Sequence, residues 1–434
     1  MTFTRFSKLL KRRRLLGAIA ALMVIGWTLA SAGREEAIAA DSFVDMIGVA
    51  THLNYRDTAY NRYDELVKPR LQQLGVRHIR DGFRFTDERS RDRLLDLARI
   101  GVRATLVMDP RWIDSPQQAV AMAKATAPAI EAVEGPNEWD VWPDLTYDGS
   151  PFPDGLRQFQ RELYDALKQD TATAALPVLS PSVAHWWNAP KLGRVACDWA
   201  TMHSYAGGEM PSGGKLDVGW IPSAKLVCPN GPVVATEAGW HNAVTDARAL
   251  QPGISEAASA KYAPRLYLEY FNRRVKRAFL YEFVNEWDRA DQESNFGLVR
   301  YDGSPKPAFT ALANLIELLA DPVDPANSVD SFEPAGLSYR LSGDQTNVHH
   351  TLLQKRDRRF YLILWQEVPS FNLAEQTDIT VDDRSLTLNL ETPAAQIRLY
   401  QPVTNADPIA EFTDRDRIRL AVPDHPLVVE LTPS

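Results

Sequence analysis

From residue 47 to about 321, short apolar runs alternate with stretches whose apolar residues recur every three or four positions. The runs read as buried strands over 47–52, 77–81, 103–108, 130–135, 177–182, 199–205, 233–237 and 277–284. Helical patterns lie near 61–74, 87–100, 115–127, 155–170, 188–195, 215–226, 258–275 and 306–320. Eight strand–helix units in this order predict a (β/α)8 barrel over residues 41–321, close to the length usual for that fold. Such barrels collect their functional groups at the C-terminal ends of the strands. Those ends carry His52, Arg80, Asp81, Asp109, Asn137, Glu138, His185, His203, Tyr205, Glu237 and Glu282.

After Asp321 the helical period stops. Pro322, Pro325 and Pro334 mark a turn-rich joint. Short alternating runs follow at 337–341, 348–354, 359–366, 377–381, 385–390, 395–400, 409–412 and 427–431. They predict an antiparallel β-sandwich over residues 322–434, with the strongly apolar run RFYLILWQ (359–366) at its centre. No internal repeat or low-complexity tract interrupts either half.

Residues 1–40 follow another pattern. Lys8, Lys11, Arg12, Arg13 and Arg14 precede an uncharged apolar stretch from Leu15 to about Ala32, and small residues follow (Ala37, Ala39, Ala40). This is the layout of an export signal. The apolar stretch is at the lower limit for a membrane span, so an uncleaved anchor stays open beside a cleaved signal. Either reading predicts an exported protein, periplasmic, extracellular or held at the outer face of a membrane. The only membrane contact expected is through this segment. Removing residues 1–40 takes away seven basic and two acidic groups, and the net charge moves from −8 to −13. An acidic surface disfavours nucleic acid as a partner.

The chain has two cysteines, Cys197 and Cys228, each just before a predicted strand. Neighbouring parallel strands start about 5 Å apart, within disulfide reach when the side chains face each other. A structural disulfide and two free buried thiols both fit. Neither cysteine lies at the strand ends where barrel chemistry takes place.

Two carboxylates carry the candidate chemistry. Glu138 lies in EGPNEWD (134–140) and Glu237 in VVATEAGW (233–240), each at the end of an apolar run. Strand counting puts them on barrel strands four and seven, facing one pocket. A pair of carboxyl groups across a pocket is what hydrolysis of a glycosidic bond requires. Such a nucleophile must be ionised, which calls for a cation or hydrogen-bond donors; Arg80 and Tyr205 are placed to supply them. The acid needs a less polar or like-charged setting.

With these residues the chain resembles the retaining glycosidases of clan A, which includes glycoside hydrolase families 5 and 39. The resemblance spans about residues 45–321. It implies that Glu138, after Asn137, is the acid/base and that Glu237 is the nucleophile. It places Arg80 beside the nucleophile. His203 and Tyr205 match a His-x-Tyr pattern on strand six, and Trp287 matches a Trp after strand eight that floors the sugar site. The run NFGLVRYDGSPKPAF (295–309) resembles the exit from strand eight, and a terminal β-sandwich is a frequent companion. The run VMDPRW (107–112) departs from family 5 by having no His near the end of strand three; Asp109 or His52 is left to fill that space. The activity implied is double-displacement hydrolysis of O-glycosidic bonds in a β-linked oligo- or polysaccharide, with no cofactor.

Other residues have plainer roles open to them. Asn285-Glu286-Trp287 is a second Asn-Glu pair, and Glu286 competes with Glu138 for the role of acid. Glu282 and Glu293 are read as structural partners. Trp112, Trp139, Trp142, Trp186, Trp187 and Trp240 follow strand ends and are read as sugar platforms, with Trp240 a binding residue. No group of His, Cys and Asp has metal-ligand spacing, and no Gly-rich phosphate loop follows a strand. A non-catalytic glycan-binding or polysaccharide-assembly protein, and a metal-dependent barrel hydrolase, are the alternatives.

Overall fold

The computed structural model describes residues 33–322 and 332–434. The apolar stretch from Leu15 to Ala32 lies outside them. Among the described residues no helix is long and apolar enough to cross a membrane.

All eight barrel strands form. In chain order they are Ile47–Ala50, His78–Asp81, Arg103–Val107, Ile130–Glu134, Val178–Leu179, Ala200–His203, Val233–Ala238 and Arg277–Leu280. They pair in parallel, and strand eight returns to strand one through Ala278 opposite Ile47. A single parallel bridge, Leu179 to Trp199, closes the gap between strands five and six. Strand five is two residues long where the sequence predicts six, because Pro177 and Pro181 lack the N–H groups a longer ladder needs.

The helices fall where the period predicts them. Helix Asp154–Gln169 buries Leu156, Phe159, Leu163 and Leu167, one face of a 3.6-residue repeat. Ser115 and Ser255 cap their helices by accepting the N–H of the third residue on, Gln118 and Ala258. Two helices begin differently, with wide π turns over Tyr63–Val67 and Leu216–Trp220. Each turn stands two residues before a proline, Pro69 or Pro222, whose missing N–H prevents a regular α-helical bond there.

Six C-terminal strands join two from the N-terminal segment in one continuous eight-stranded sheet, antiparallel except at the Ile38–Ala39 pairing and curled through the long strand Arg384–Tyr400. That strand merges the predicted runs 385–390 and 395–400, with a shift of register between Asn389 and Ala394. Phe360–Gln366 is central, between Val348–Gln354 and Leu427–Pro433. Its side chains alternate: Phe360, Leu362 and Leu364 enter a core within the sheet, while Tyr361, Ile363 and Trp365 join the barrel's core. Burial on both faces explains a run without polar alternation.

Helix Glu256–Asn272 sits between barrel and sheet and is buried nearly all round. Its Arg265, wholly buried, donates from Nε to Glu367 Oε2 at 2.8 Å and from Nη2 to the Val368 carbonyl at 2.9 Å. His349 Nδ1 lies 2.6 Å from Glu269 Oε1 at the same seam.

One boundary moves. Residues 33–39, placed in the leader by sequence, belong to the sheet. Gly33–Glu36 pairs with Gly336–Gly343, and Ile38–Ala39 pairs with Val348–Gln354. The folded body therefore includes Gly33 onward, and a cut after Ala40 would remove two of its strands.

Candidate active site

The C-terminal mouth of the barrel holds a cavity of about 670 Å³. Glu138, Glu237, Arg80, Asn137, His203 and Tyr205 all line it. Glu237 lies on strand seven. Its Oε1 accepts from Arg80 Nη1 at 2.6 Å, and its Oε2 accepts from the Tyr205 hydroxyl at 2.6 Å. Glu138 stands after strand four with a left-handed backbone, φ 55°. His203, fully buried on strand six, sits between the two carboxylates: Nδ1 is 2.6 Å from Glu138 Oε1 and 3.5 Å from Glu237 Oε2. An oxygen of Glu138 and an oxygen of Glu237 lie within 4.8 Å of each other.

Arg80 ties strands two, four and seven together. Nε donates to Glu134 Oε2 at 2.6 Å, and Nη2 to Glu134 Oε1 at 3.0 Å and to Asn137 Oδ1 at 2.6 Å. Glu134 is wholly buried beneath the cavity. It was not singled out from sequence, although it ends strand four and opens the EGPNEWD run, four residues before Glu138.

These contacts set the charges. Burial by itself would raise the Glu237 carboxyl, but His203, Arg80 and the Tyr205 hydrogen bond outweigh burial and hold its pKa below the usual range. Burial opposes a charge on His203; Glu237 and Glu138 outweigh it and raise the imidazole to about 10. Burial likewise opposes ionisation of Glu134, and Arg80 reverses the balance and lowers its pKa. The site thus has two fixed cations, Arg80 and His203, set among three carboxyl groups.

The remaining wall is aromatic and polar. Trp112, Trp186, Trp187, Tyr55, Tyr281 and Phe296 line it. Trp187 is 54% exposed and stacks on His185, with ring centroids 4.4 Å apart and planes 12° from parallel. Trp186 and Trp187 follow a strand end as the sequence predicts for platforms. Tyr281 and Phe296 follow strand eight and carry no signal that separates them from core residues.

Four predicted sugar contacts, Trp139, Trp142, Trp240 and Trp287, do not line the cavity. Trp240 is buried, its Nε1 donates to the Glu209 carbonyl at 2.9 Å, and its ring packs on Tyr262. Trp287 does not line the cavity and carries the Arg289 guanidinium over its ring at 4.9 Å. Strand-end position alone does not tell which side of the loop backbone a Trp leaves from. Trp139 is also core, donating to Asp109 Oδ2 at 3.2 Å. Asp109 accepts the Asn137 N–H as well, at 3.0 Å, so it buttresses the strand-four loop from behind. Of the two residues left open for the space at strand three, His52 is the one that lines the cavity.

Cys197 and Cys228 are disulfide-bonded, with Cα atoms 6.1 Å apart. They lie just before strands six and seven, at the barrel face away from the cavity.

No family model and no curated protein matches the chain by sequence. Solved structures do match. A family 39 glycoside hydrolase from the gut symbiont Bacteroides cellulosilyticus WH2 aligns with TM-score 0.56 and 15% identity, over 91% of this chain and 82% of its own. A glucosidase from Croceicoccus marinus aligns with TM-score 0.58 and 11% identity, over 93% of this chain and 97% of its own. A family 51 α-L-arabinofuranosidase from Bifidobacterium longum aligns with TM-score 0.55 and 12% identity, over 92% and 98%. At these identities the likeness establishes architecture: the chain has the (β/α)8 barrel and antiparallel sheet domain of these glycoside hydrolases.

Proposed function

We propose that the protein is an exported retaining glycosidase that cleaves a β-linked glycan, with Glu237 as nucleophile and Glu138 as acid/base. The observation that carries this reading is the carboxylate pair, with oxygens within 4.8 Å and Glu237 clasped by Arg80 and Tyr205. Retaining enzymes hold their carboxyl groups about 5–5.5 Å apart, while inverting enzymes leave about 6.5–9.5 Å for a water.

In the first step Glu237 attacks the anomeric carbon while Glu138 protonates the departing glycosidic oxygen. In the second, Glu138 takes a proton from water, which attacks the same carbon and frees Glu237. The buried charges fit both steps. Before attack, Arg80 and His203 balance Glu134 and Glu237 when Glu138 is neutral. In the glycosyl-enzyme Glu237 is a neutral ester, and the same two cations balance Glu134 and an ionised Glu138. The site's net charge is unchanged as Glu138 turns from acid to base. This balance, absent around Glu286, supports the choice of Glu138.

Trp187, exposed and braced by His185, offers a flat apolar face suited to a sugar ring beyond the cleavage point. Export rests on the basic and apolar leader. Ala30-Ser31-Ala32 is a small-residue cleavage pattern directly before Gly33, the first described residue of the sheet.

The test is substitution with azide present. Glu237→Ala should lose nearly all activity and regain turnover with azide as an α-glycosyl azide. Glu138→Ala should lose about 10²–10⁴-fold on unactivated glycans and yield a β-glycosyl azide from aryl glycosides. Full activity in either variant sinks the proposal, and binding without product across a glycan panel favours the non-catalytic alternative.

A further inference from the structure

We propose that His52, Glu282 and Glu286 form a divalent-cation site, of zinc-like chemistry, beside the cavity at the seam of the barrel. His52 follows strand one, and Glu282 and Glu286 follow strand eight, the two strands that close on each other. One ligand atom from each residue lies within 4.8 Å of the others.

The spacing is wrong for hydrogen bonds and right for a shared ion. His52 Nε2 is 3.5 Å from Glu282 Oε2 and 4.0 Å from Glu286 Oε1, both beyond the usual range for a hydrogen bond. Ligands held about 2.1 Å from a tetrahedral zinc stand about 3.4 Å from one another. Two polar atoms are also left over. His52 Nε2 and Glu282 Oε1 are both buried and have no hydrogen-bond partner. Buried polar atoms are rarely orphaned, and an unseen ion is a standard reason when they are. The Glu282 side chain is wholly buried, and among the described residues no Lys or Arg pairs with it or with Glu286. Two carboxylates buried without a cation are costly, and a divalent ion supplies the charge they lack.

The surroundings suit a ligand set. The Tyr60 hydroxyl donates to Glu282 Oε2 at 3.0 Å and accepts the Val284 N–H at 3.1 Å, which fixes the carboxylate's orientation. Tyr55 stacks on the His52 ring at 4.5 Å and 8°, which fixes its plane. One imidazole and two carboxylates form a borderline donor set, matched to zinc in preference to magnesium or calcium. A fourth position is left for water. The ion would lock the first and last strands together and hold His52 in the cavity wall, away from the Glu138 and Glu237 oxygens that carry the proposed reaction.

The test uses full-length folded protein treated with chelator and then titrated with Zn²⁺ alone, followed by calorimetry and thermal unfolding. One equivalent should bind and raise Tm. Co²⁺ in its place should give the visible absorption of a four-coordinate site. Glu286→Gln and His52→Ala should each weaken binding at least about tenfold, while Glu293→Gln should not. No saturable binding to the wild-type protein, or binding unchanged in both variants, overturns the proposal in favour of a shared proton. These readouts do not depend on glycosidase activity, so they fail or succeed separately from it.

Discussion

Glu134 grips Arg80 through two hydrogen bonds, from Nε at 2.6 Å and from Nη2 at 3.0 Å, while Arg80 reaches across the barrel to Glu237 at 2.6 Å. Glu134 does not line the cavity, so it acts through Arg80 as a positioning residue. Glu134→Gln keeps the shape and removes the charge. We expect kcat to fall about 10–100-fold, equivalent to about 1.4–2.7 kcal/mol in the barrier, with KM nearly unchanged. Glu134→Asp should recover part of the loss. A rise in KM alone would count against this role.

The pH profile should report the clasp on Glu237. Its carboxyl pKa is held below the usual value, so the acid limb of kcat/KM lies below the ordinary glutamate range. Removing a donor leaves burial less opposed and moves the pKa up. Tyr205→Phe should therefore shift the acid limb to higher pH, and Arg80→Gln should shift it further. An acid limb that stays in place in both variants would show that another group governs it.

His203 makes an opposite prediction for stability. Its folded pKa, about 10, lies above the ordinary value of 6.5. Its contribution is fully present below pH 6.5 and is lost as pH rises from there through 10. Thermal unfolding of the wild-type protein should weaken across that window, and His203→Gln should flatten the slope. Equal slopes for the two proteins would rule out a charged His203.

Trp187 should act in binding and not in bond cleavage. Trp187→Ala is expected to raise KM for oligosaccharides about tenfold, the loss of one ring contact of about 1.4 kcal/mol, while leaving kcat for a short aryl glycoside unchanged. Equal effects on both substrates would place the ring at the cleavage point instead.

The leader should be cut before Gly33. Mass spectrometry of exported protein is expected to find Gly33 at the N-terminus, and a chain begun at Asp41 should be less stable because it lacks both N-terminal strands. Equal thermal stability of the two chains would mean that those strands contribute nothing.

The chain's local patterns were sufficient for the barrel, the sheet domain and the pair Glu138 and Glu237. Strand and helix periods are local properties, and strand order in a barrel follows from chain order, so residues at strand ends could be assigned to one mouth. Arg80, Asn137, His203 and Tyr205 were legible for the same reason. What depended on the tertiary structure was direction and company. Trp240 and Trp287 follow strand ends yet do not line the cavity; Trp240 is held by the Glu209 carbonyl and Trp287 lies against the Arg289 guanidinium. Glu134 gained its role because a buried carboxylate needs a cation, and Arg80 came from another strand 54 residues away to meet it. Residues 33–39 read as part of a leader because their pairing partners lie some 300 residues on. The cluster of His52, Glu282 and Glu286 arises only when the barrel closes its first strand on its last. Periodicity is written within a few neighbours along the chain, whereas side-chain charge is balanced by whichever partners closure of the fold brings near.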